Sequence, residues 1–330
     1  MFTVPVAELT REIAQETGCP CVRLEGPISV RDNSVVYRAR MGGGVRPDAA
    51  VKCCRQPDTG GCDAVLARRQ FDALGRVDAA FRQRDHRFRA PAPLFFSARF
   101  GAYGMAWIDG ESLTARMARE GGLESLAPAF ERVGAWMAAF HCAGRAQAGT
   151  PDIAGKIAHL AAMQRQPVAH PLFQRSLRLL ADCRAVEATM LLQISWLHGD
   201  CKTDNFLLAR DATYGIDIGL AHQNAIEHDL AQFLNNVDLL ALRWRFRHLR
   251  ADATALNDAF MRGYRANGPA VSQSFLHWVR LWSALTFWHT SIAERRPAWP
   301  ARWLLNRMFS TLVRGLVAAQ GQVELVSARP

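Results

Sequence analysis

The residues best suited to chemistry lie in one central segment, at 195–208, and in a short run that follows it, at 214–219. The first reads Ser-Trp-Leu-His-Gly-Asp-Cys-Lys-Thr-Asp-Asn-Phe-Leu-Leu, and the second reads Tyr-Gly-Ile-Asp-Ile-Gly. An apolar strand delivers polar residues into a loop, which leads back into an apolar hairpin. Phosphoryl transfer from ATP needs an oriented acceptor hydroxyl, metal ions held by hard oxygen ligands, and neutralisation of developing phosphate charge. The segment supplies groups for the first two tasks.

Each polar residue of this segment has an expected role. Asp200 would accept a hydrogen bond from the substrate hydroxyl and take its proton late, while Asn205 and Asp217 would coordinate magnesium. His198 is expected to organise the loop by hydrogen bonding rather than to act as a base, and Lys202 completes the catalytic candidates. The spacing His-x-Asp-x-x-x-x-Asn, followed after one hairpin by Asp-x-Gly, fits the catalytic and metal loops of kinases.

The segment resembles the aminoglycoside phosphotransferase and choline kinase group, relatives of the protein kinases. In that group the loop reads His-Gly-Asp, as residues 198–200 do here, whereas protein kinases usually have Arg in place of the Gly. Further similar stretches follow the family's order: 105–113 resembles its hinge, 136–141 the helix before the catalytic loop, and 229–231 a motif after the metal loop. The resemblance implies a two-lobed, protein-kinase-like fold that uses ATP and Mg²⁺. It also implies that Asp229 supports the catalytic loop, although an Asp there could instead cap a helix, with Gln232 at its third position.

A nucleotide site is expected in the first third of the chain. Lys52, in the run Ala-Val-Lys, matches the family's strand lysine that contacts the α- and β-phosphates. Residues 26–33, between two predicted strands, are interpreted as the loop that covers the nucleotide. The triple glycine at 42–44 is interpreted as a hairpin turn, because no Gly-Lys-Ser/Thr leading into a helix follows it. The expected nucleotide contacts are Lys52, Gly26, Ser29, Asn33, Met105 and Trp107.

The chain departs from the kinase pattern on the helix after this lysine. Kinases pair the strand lysine with a glutamate, yet by register Gln70 occupies that position here, leaving Asp72 or no partner. The covering loop also has fewer glycines than a protein kinase would have. These departures keep open a pseudokinase, which would retain the fold for binding nucleotide without turnover.

The elements that must position these residues predict an α+β fold with two lobes. A helix at 5–17 precedes strands at 21–25, 34–39 and 49–53, a helix at 63–82, and strands at 94–98 and 103–108. Later helices are predicted at 126–143, 171–192, 229–249 and 271–293. We therefore expect an N-terminal, antiparallel-sheet lobe at 1–108, a larger helical catalytic and substrate-binding lobe at 109–330, and a join near 107–111.

Composition limits the partners. The chain has a net charge of +10, which favours an anionic partner and predicts a neutral or anionic acceptor rather than a polycationic aminoglycoside. Its first residues do not resemble a secretory signal and no apolar stretch could cross a bilayer, so a cytoplasmic protein is expected, with peripheral membrane contact left open. The eight scattered cysteines predict free thiols.

Two segments have competing interpretations. The basic run 243–250 is predicted to be a helix with a solvated charged face and inward Leu and Phe; no nucleic-acid motif accompanies it, so no nucleic-acid partner is expected. The aromatic residues at helical spacing in 275–289 are interpreted as core, the alternative being a cage for a quaternary ammonium group.

The leading hypothesis is an ATP-dependent kinase that transfers the γ-phosphoryl group to a hydroxyl of a small molecule or sugar. The alternative within enzymes is a kinase acting on a surface-glycan sugar, a lipid or a protein.

Overall fold

The chain forms two compact units in a computed structural model that describes residues 5–43, 48–56, 58–84, 87–151, 153–165, 168–187, 191–219 and 223–327. The first unit comprises residues 1–111 and 206–220, and the second comprises 112–205 and 221–330. The fold is α+β, with an antiparallel sheet in the first unit and mostly helices in the second. The lobe boundary expected after residue 108 stays a prediction.

The elements up to residue 106 alternate strands with two helices. They are α1 (Val6–Thr17), β1 (Val22–Arg31), β2 (Ser34–Met41), β3 (Ala49–Cys54), α2 (Ala64–Arg82), β4 (Phe88–Arg89), β5 (Pro93–Ser97) and β6 (Ala102–Ala106). Five of the strands form one antiparallel sheet in the order β1-β2-β3-β6-β5. β3 is therefore central, and a side chain on it is held by strands on both sides.

Both helices of the first unit form where the sequence predicts them. The apolar spacing of α1 buries Leu9 and Ile13 against the sheet, and Gly18 ends the helix in the left-handed region at φ 66°. The Asp63 side chain caps α2 by accepting a hydrogen bond from the backbone N–H of Leu66 at 2.8 Å. The helices predicted at 5–17 and 63–82 are confirmed.

The predicted covering loop at 26–33 is instead mostly strand. β1 continues to Arg31, with a register shift between Glu25 and Ser29, and only Asp32 and Asn33 form the turn into β2. Residues 26–28 of β1 lie opposite residue 37 alone, so β1 carries two extra residues in a bulge that does not end the pairing. Gly42 and Gly43 form a turn after β2, as predicted; Gly44 lies outside the described residues.

From residue 111 onward helices dominate. The elements are β7 (Glu111–Ser112), α3 (Leu113–Arg119), α4 (Leu123–Ala143), β8 (Gln147–Gly149), α5 (Ile153–Arg165), α6 (Pro171–Glu187), β9 (Leu192–Trp196), a 3₁₀ turn (Thr203–Asn205), β10 (Phe206–Leu208), β11 (Thr213–Gly215), β12 (Gln223–Ala225), α7 (Glu227–Ala241), a 3₁₀ helix (Trp244–Leu249), α8 (Ala253–Arg265), α9 (Gln273–His289), a π-helical turn (Thr290–Glu294) and α10 (Trp299–Ser327).

Two short sheets carry the central segment. In the first unit β10 pairs antiparallel with β11, and β11 pairs parallel with β4. In the second unit β9 lies between β12 and β8. The catalytic candidates lie in the loop that leaves β9, and Asp217 lies just after β11.

Three of the predicted helices end earlier than expected. The helix predicted at 171–192 is too long, because α6 ends at Glu187 and β9 begins at Leu192. The helix predicted at 229–249 is also too long, because α7 ends at Ala241. The basic run then forms a 3₁₀ helix that still buries Phe246 and Leu249 and exposes its arginines. The run 271–293 changes from α to π geometry at Thr290. Apolar periodicity continues through each of these joints, so it does not mark them.

The core of the second unit absorbs the aromatic run of α9. Phe275, Trp278 and Leu285 are at most 2% exposed, which confirms the core interpretation for them. The seven cysteines whose side chains are described are free thiols. Within the described part of the chain, none of the helices has the length and apolar character needed to cross a bilayer.

Candidate active site

In the first unit, a buried lysine and a carboxylate form an ion pair. Lys52 lies in the middle of β3, opposite Val36 of β2 and Tyr103 of β6, and is only 7% exposed. Its Nζ lies 2.5 Å from Oδ1 of Asp217. Asp217 follows β11 with φ 60°, a left-handed conformation that non-glycine residues adopt rarely and that is common at functional sites. The pair joins Lys52, which is predicted to bind phosphate, and Asp217, which is predicted to bind magnesium.

A second cation faces the same carboxylate. Arg31, at the end of β1, places Nη1 3.7 Å from Oδ2 of Asp217. Its position is fixed locally, because Arg55 donates a side-chain hydrogen bond to the Arg31 carbonyl and a backbone hydrogen bond to Asn33 at 2.9 Å. Sequence reasoning missed Arg31, and only the true length of β1 could have indicated it. Lys52 and Arg31 together supply positive charge of the kind that polyphosphates bind.

Gln70 faces the strand that carries Lys52. Its Oε1 accepts hydrogen bonds from the Tyr103 hydroxyl at 3.2 Å and from the Cys54 thiol at 3.6 Å. Cys54 lies two residues after Lys52, so the two side chains share one face of β3. Asp72, the other candidate, is half exposed and lies 3.8 Å from Arg68 on the same helix. Gln70 therefore faces β3, while Asp217 forms the ion pair with Lys52; that Gln70 replaces the kinase glutamate stays a prediction.

Burial fixes the protonation of the groups around Gln70. Desolvation, reinforced by the charge of Asp217, raises the pKa of Tyr103 well above its usual value. Desolvation likewise raises the pKa of Cys54, to about 11, although Lys52 opposes the shift. Both groups therefore stay protonated at neutral pH and act as donors to the amide oxygen.

The other predicted nucleotide contacts lie on the same sheet. Gly26 lies within the irregularity of β1, Ser29 follows it, and Asn33 lies in the turn into β2. Met105 lies on β6, and the backbone N–H of Trp107 donates to the Asp48 carbonyl at 3.0 Å. Their roles stay predictions.

In the second unit, the loop at 198–205, called the catalytic loop below because it carries the predicted catalytic residues, orders three of its own polar residues. The Asn205 amide donates to Oδ2 of Asp200 at 3.0 Å and to the Asp200 carbonyl at 2.8 Å, and the Lys202 ammonium donates to the same Oδ2. The Asp200 side chain is 41% exposed. Gly199 has φ 82°, which suits glycine and turns the chain between His198 and Asp200. The loop thus holds one carboxylate in place while leaving it accessible.

The fully buried His198 lies behind this carboxylate. Its Nδ1 accepts a hydrogen bond from the backbone N–H of Asp200 at 3.4 Å, and its ring lies edge-on to Trp136 and Phe140 of α4. Since the ring is enclosed by aromatic side chains, it supports the loop and is not exposed to a substrate. The organising role expected for His198 stays a prediction.

Helix α7 anchors the loop through one face. Asp229 accepts hydrogen bonds from the backbone N–H groups of His198 at 2.6 Å and Gly199 at 3.1 Å. Gln232 accepts from the N–H of Cys201 at 2.6 Å, and Asn236 accepts from the N–H and hydroxyl of Thr203 at 3.0 and 3.1 Å. Residues three and four apart share a helix face, so these three side chains reach one continuous stretch of backbone. Sequence reasoning missed Gln232 and Asn236 as anchors, although their spacing after Asp229 was a readable signal.

The alternative interpretation of Asp229 as a helix cap is wrong. α7 begins at Glu227, two residues before Asp229, and Ile226 precedes the helix. His141 of α4 lies 3.3 Å from the Asp229 carboxylate through Nε2 and 2.9 Å from the Tyr264 hydroxyl through Nδ1. Burial alone would raise the pKa of Asp229, but hydrogen bonding and charge from His141, aided by His198 and the Gly199 N–H, lower it. Asp229 is therefore an ionised, buried acceptor.

A cavity of about 310 Å³ adjoins the catalytic loop in the second unit. Gly199 and Gln232 line it on the side of the loop, and Trp282, Phe287 and Lys156 line it elsewhere. The Lys156 ammonium lies 5.7 Å from the centre of the Trp282 ring, and Lys156 is 7% exposed. A cation already lies over the ring that a quaternary ammonium cage would use, so this wall favours a neutral or anionic group.

The two predicted metal ligands, considered each within its own unit, carry oxygen atoms. Asp217 has a carboxylate, and the NH₂ group of Asn205 points toward Asp200, so its amide oxygen is not used in that hydrogen bond. Magnesium prefers such oxygens and is commonly held by one or two protein groups together with substrate phosphates. The residues present therefore fit the ion that the kinase-like fold implies.

Comparison with known proteins supports the fold assignment. The chain is similar to a choline/ethanolamine kinase family protein from Mesorhizobium loti, with 15% identity, a TM-score of 0.61 and 94% of each chain covered. It is also similar to a glucosamine kinase in complex with glucosamine, ADP and inorganic phosphate, with 14% identity, a TM-score of 0.60, and 96% of this chain and 88% of that chain covered. A macrolide 2'-phosphotransferase type I shares 15% identity over 94% of this chain and 98% of that chain, with a TM-score of 0.59. Neither a protein-family model nor a curated protein matches the sequence. At these identities the likeness shows the fold, so the protein-kinase-like fold predicted from residues 198–219 is confirmed.

Proposed function

We propose that this chain, which has the fold of kinases and antibiotic phosphotransferases, is an ATP-dependent phosphotransferase with an alcohol group as acceptor. The observation that carries the proposal is the catalytic loop. Asp200 is accessible, is oriented by Asn205 and Lys202, and lies in backbone that α7 anchors. Positioning plus electrostatic stabilisation is what phosphoryl transfer requires from a protein.

In the proposed mechanism each residue has one task. The acceptor hydroxyl donates a hydrogen bond to the Asp200 carboxylate, which orients the attacking oxygen and accepts its proton late in the transfer. The Lys202 ammonium donates a hydrogen bond to the Asp200 carboxylate and so helps to hold it in one orientation. Lys52 and Arg31 bind phosphate oxygens, with Lys52 on the α- and β-phosphates.

Magnesium would be held by Asn205 and Asp217. When bound, the ion would neutralise the negative charge that develops on the phosphate during transfer. In the structure Asp217 is bonded to Lys52 and close to Arg31, so these two side chains hold its oxygens in place. In the proposed mechanism the same two side chains bind phosphate oxygens when the nucleotide is present. We propose ATP as the nucleotide, and the cytoplasm, where ATP is abundant, as the place of action.

We propose a neutral or anionic acceptor, such as a sugar or a phosphorylated metabolite. The support is the cavity beside the loop, where Lys156, which lies over the Trp282 ring, contributes a positive charge to the wall. The Asp229 carboxylate, which also reaches this cavity, already accepts two backbone hydrogen bonds and is not available to recruit a cation.

The proposal is tested by incubating the protein with ATP, Mg²⁺ and a pool of hydroxylated metabolites, and searching by mass spectrometry for products that gain one phosphoryl group. We expect a neutral or anionic product that the Asp200→Asn variant does not form. Binding of ATP without any such product would indicate a pseudokinase. Turnover confined to aminoglycosides would contradict the acceptor class while leaving phosphoryl transfer intact.

Lys52→Met should lower kcat/KM for ATP about 10²- to 10³-fold, because it keeps the length and apolar stem of the side chain but removes the charge that binds phosphate. Thermal unfolding should show that the variant is folded. The control is Arg23→Met, which removes one exposed positive charge from the same sheet and should have little effect. Equal kcat/KM in the Lys52 and Arg23 variants would exclude the phosphate role.

Asp217→Ala should abolish the magnesium dependence of ATP binding, because it removes the only carboxylate ligand in the proposed metal site. Calorimetric titration of ATP with and without Mg²⁺ measures this directly. Asp211→Ala removes an exposed carboxylate from the turn of the same hairpin and should bind as the wild type does. If metal still tightens ATP binding to Asp217→Ala, the ion lies elsewhere.

A further inference from the structure

The exposed tryptophans of this protein are concentrated in two segments of the second unit. Among the described residues, the large hydrophobic side chains that are exposed include three tryptophans: Trp244 at 77%, Trp299 at 76% and Trp303 at 53%. Trp244 begins the 3₁₀ helix after α7, and the other two lie four residues apart on the first turns of α10. Indole rings are normally buried, so their exposure together marks an interaction surface.

Both segments are strongly basic. Residues 243–250 contain four arginines and a histidine, residues 299–319 contain three arginines, and neither stretch contains an Asp or a Glu. The arginines lie over the exposed rings: the Arg247 guanidinium is 3.8 Å from the centre of the Trp244 ring, and that of Arg307 is 5.5 Å from the centre of the Trp303 ring. Each segment therefore presents an aromatic ring and a positive charge as one unit.

A groove of about 830 Å³ lies between the two segments. Trp244, Arg247 and Arg250 line one side, and Leu304 and Arg307 line the other. Its deeper wall is apolar, formed by Met308, Leu312 and Leu316 of α10, among other residues. The occupant that matches such a groove carries an anionic part at the rim and an apolar part below it.

Among the described residues that line the groove, Asp238 is the one acidic side chain, and it forms an ion pair. Oδ2 of Asp238 lies 2.5 Å from the Arg280 guanidinium, and Asn257 donates to its Oδ1 at 2.9 Å. Burial lowers the pKa of His277, although the hydrogen bond of its ring to the Leu316 carbonyl at 2.8 Å opposes the shift, so His277 adds no charge at neutral pH. Because the arginines of the rim outnumber the free acids, the field at the groove is positive.

We infer that this surface, formed by the 3₁₀ helix at 244–249 and the first turns of α10, docks the protein on an anionic phospholipid membrane. Tryptophan prefers the boundary between headgroups and acyl chains, and arginine is attracted to anionic headgroups. The apolar wall below the arginine rim fits the start of an acyl chain. A single-stranded nucleic acid would bind the arginines but has no apolar part for that wall, and the Trp244 and Trp303 rings each already have an arginine over one face.

The test measures partitioning of the full chain onto vesicles by flotation. One vesicle contains phosphatidylcholine alone, and in the other phosphatidylglycerol replaces about a third of it. We expect binding at least about tenfold tighter on the anionic vesicles, weakened by salt. Indole fluorescence should shift to the blue when the vesicles are added, because Trp244 and Trp303 enter a less polar environment.

Variants separate this surface from overall charge. Arg247→Gln combined with Arg307→Gln should weaken partitioning about tenfold or more. Arg69→Gln combined with Arg76→Gln removes the same charge from the exposed face of α2 and should change it little. Trp244→Ala combined with Trp303→Ala should weaken binding and abolish the fluorescence shift. Both tryptophans are more than half exposed, so this pair should leave thermal stability intact.

Three results would overturn the inference. The first is equal partitioning onto the two vesicles or onto neither. The second is an Arg247 and Arg307 variant that partitions as the α2 control does. The third is tight binding of a labelled single-stranded oligonucleotide, lost in the same variant, by a protein that does not bind vesicles. Each measurement is independent of phosphotransferase activity, so failure here would leave the proposed function untouched.

Discussion

Asp200→Asn should lower kcat by about 10²- to 10⁴-fold while leaving the affinity for ATP nearly unchanged. The substitution keeps the shape of the side chain but removes its negative charge, so the acceptor proton has no base to which it can transfer. It also loses the ionic attraction of the Lys202 ammonium, which in the wild type donates to Oδ2 of Asp200. Single-turnover kinetics, which separate transfer from product release, measure the effect.

A neighbouring carboxylate provides the control for this experiment. Asp204 lies four residues later in the same loop and is exposed. It takes no part in the hydrogen bonds described above between the loop and α7. Asp204→Asn makes the same chemical change and should retain near-wild-type kcat. If both variants turn over as fast as the wild type, Asp200 is not the acid-base group and the catalytic assignment is wrong.

Asp229→Asn should destabilise the fold by about 3 kcal/mol and reduce activity through misplacement of the loop. The Asp229 carboxylate is buried and accepts from two backbone N–H groups, those of His198 and Gly199. An amide has one oxygen, so its NH₂ group would face at least one of these donors. Denaturant unfolding at neutral pH measures the loss. Gln232→Ala, which frees only the Cys201 N–H, should lose about 1–2 kcal/mol.

The same carboxylate predicts a pH dependence. The pKa of Asp229 is lower in the folded state than in the unfolded chain, so its ionised form stabilises the fold above about pH 4. That contribution is lost as the pH falls through the folded-state pKa. The Asp229→Asn variant has no such group, and its stability should fall less steeply with acid than that of the wild type. Parallel acid profiles for the two proteins would contradict the assignment of an ionised Asp229.

Local sequence signals were sufficient where structure depends on neighbouring residues. The helix ended by Gly18, the strand that carries Lys52 and the loop at 198–205 were all predicted, because capping, alternation and motif spacing operate over a few residues. The carboxylate partner of Lys52 could not be predicted in this way. Asp217 lies 165 residues later, and the resemblance to kinases indicated a glutamate near residue 70 instead.

Sequence patterns did not predict the structure where two kinds of local structure are compatible with the same residues. The run 229–249 keeps helical spacing through Ala241, where α7 ends, and the apolar residues beyond it are buried by a 3₁₀ helix instead. Residues 26–33 contain Gly and Pro, which favour a loop, yet pairing with β2 carries the strand past them. Tertiary contacts decide such cases, and Arg31 beside Asp217 was missed for the same reason.

The attachment of the catalytic loop to a single face of α7 determines which evolutionary changes this helix can accept. Adding or removing one residue between Asp229 and Asn236 would turn all later side chains by about 100° around the axis. The anchors before and after the change would then point in different directions, and part of the loop backbone would lose its acceptors. Homologous chains should therefore vary in residue type on the remaining faces of α7 while its length between these anchors stays constant.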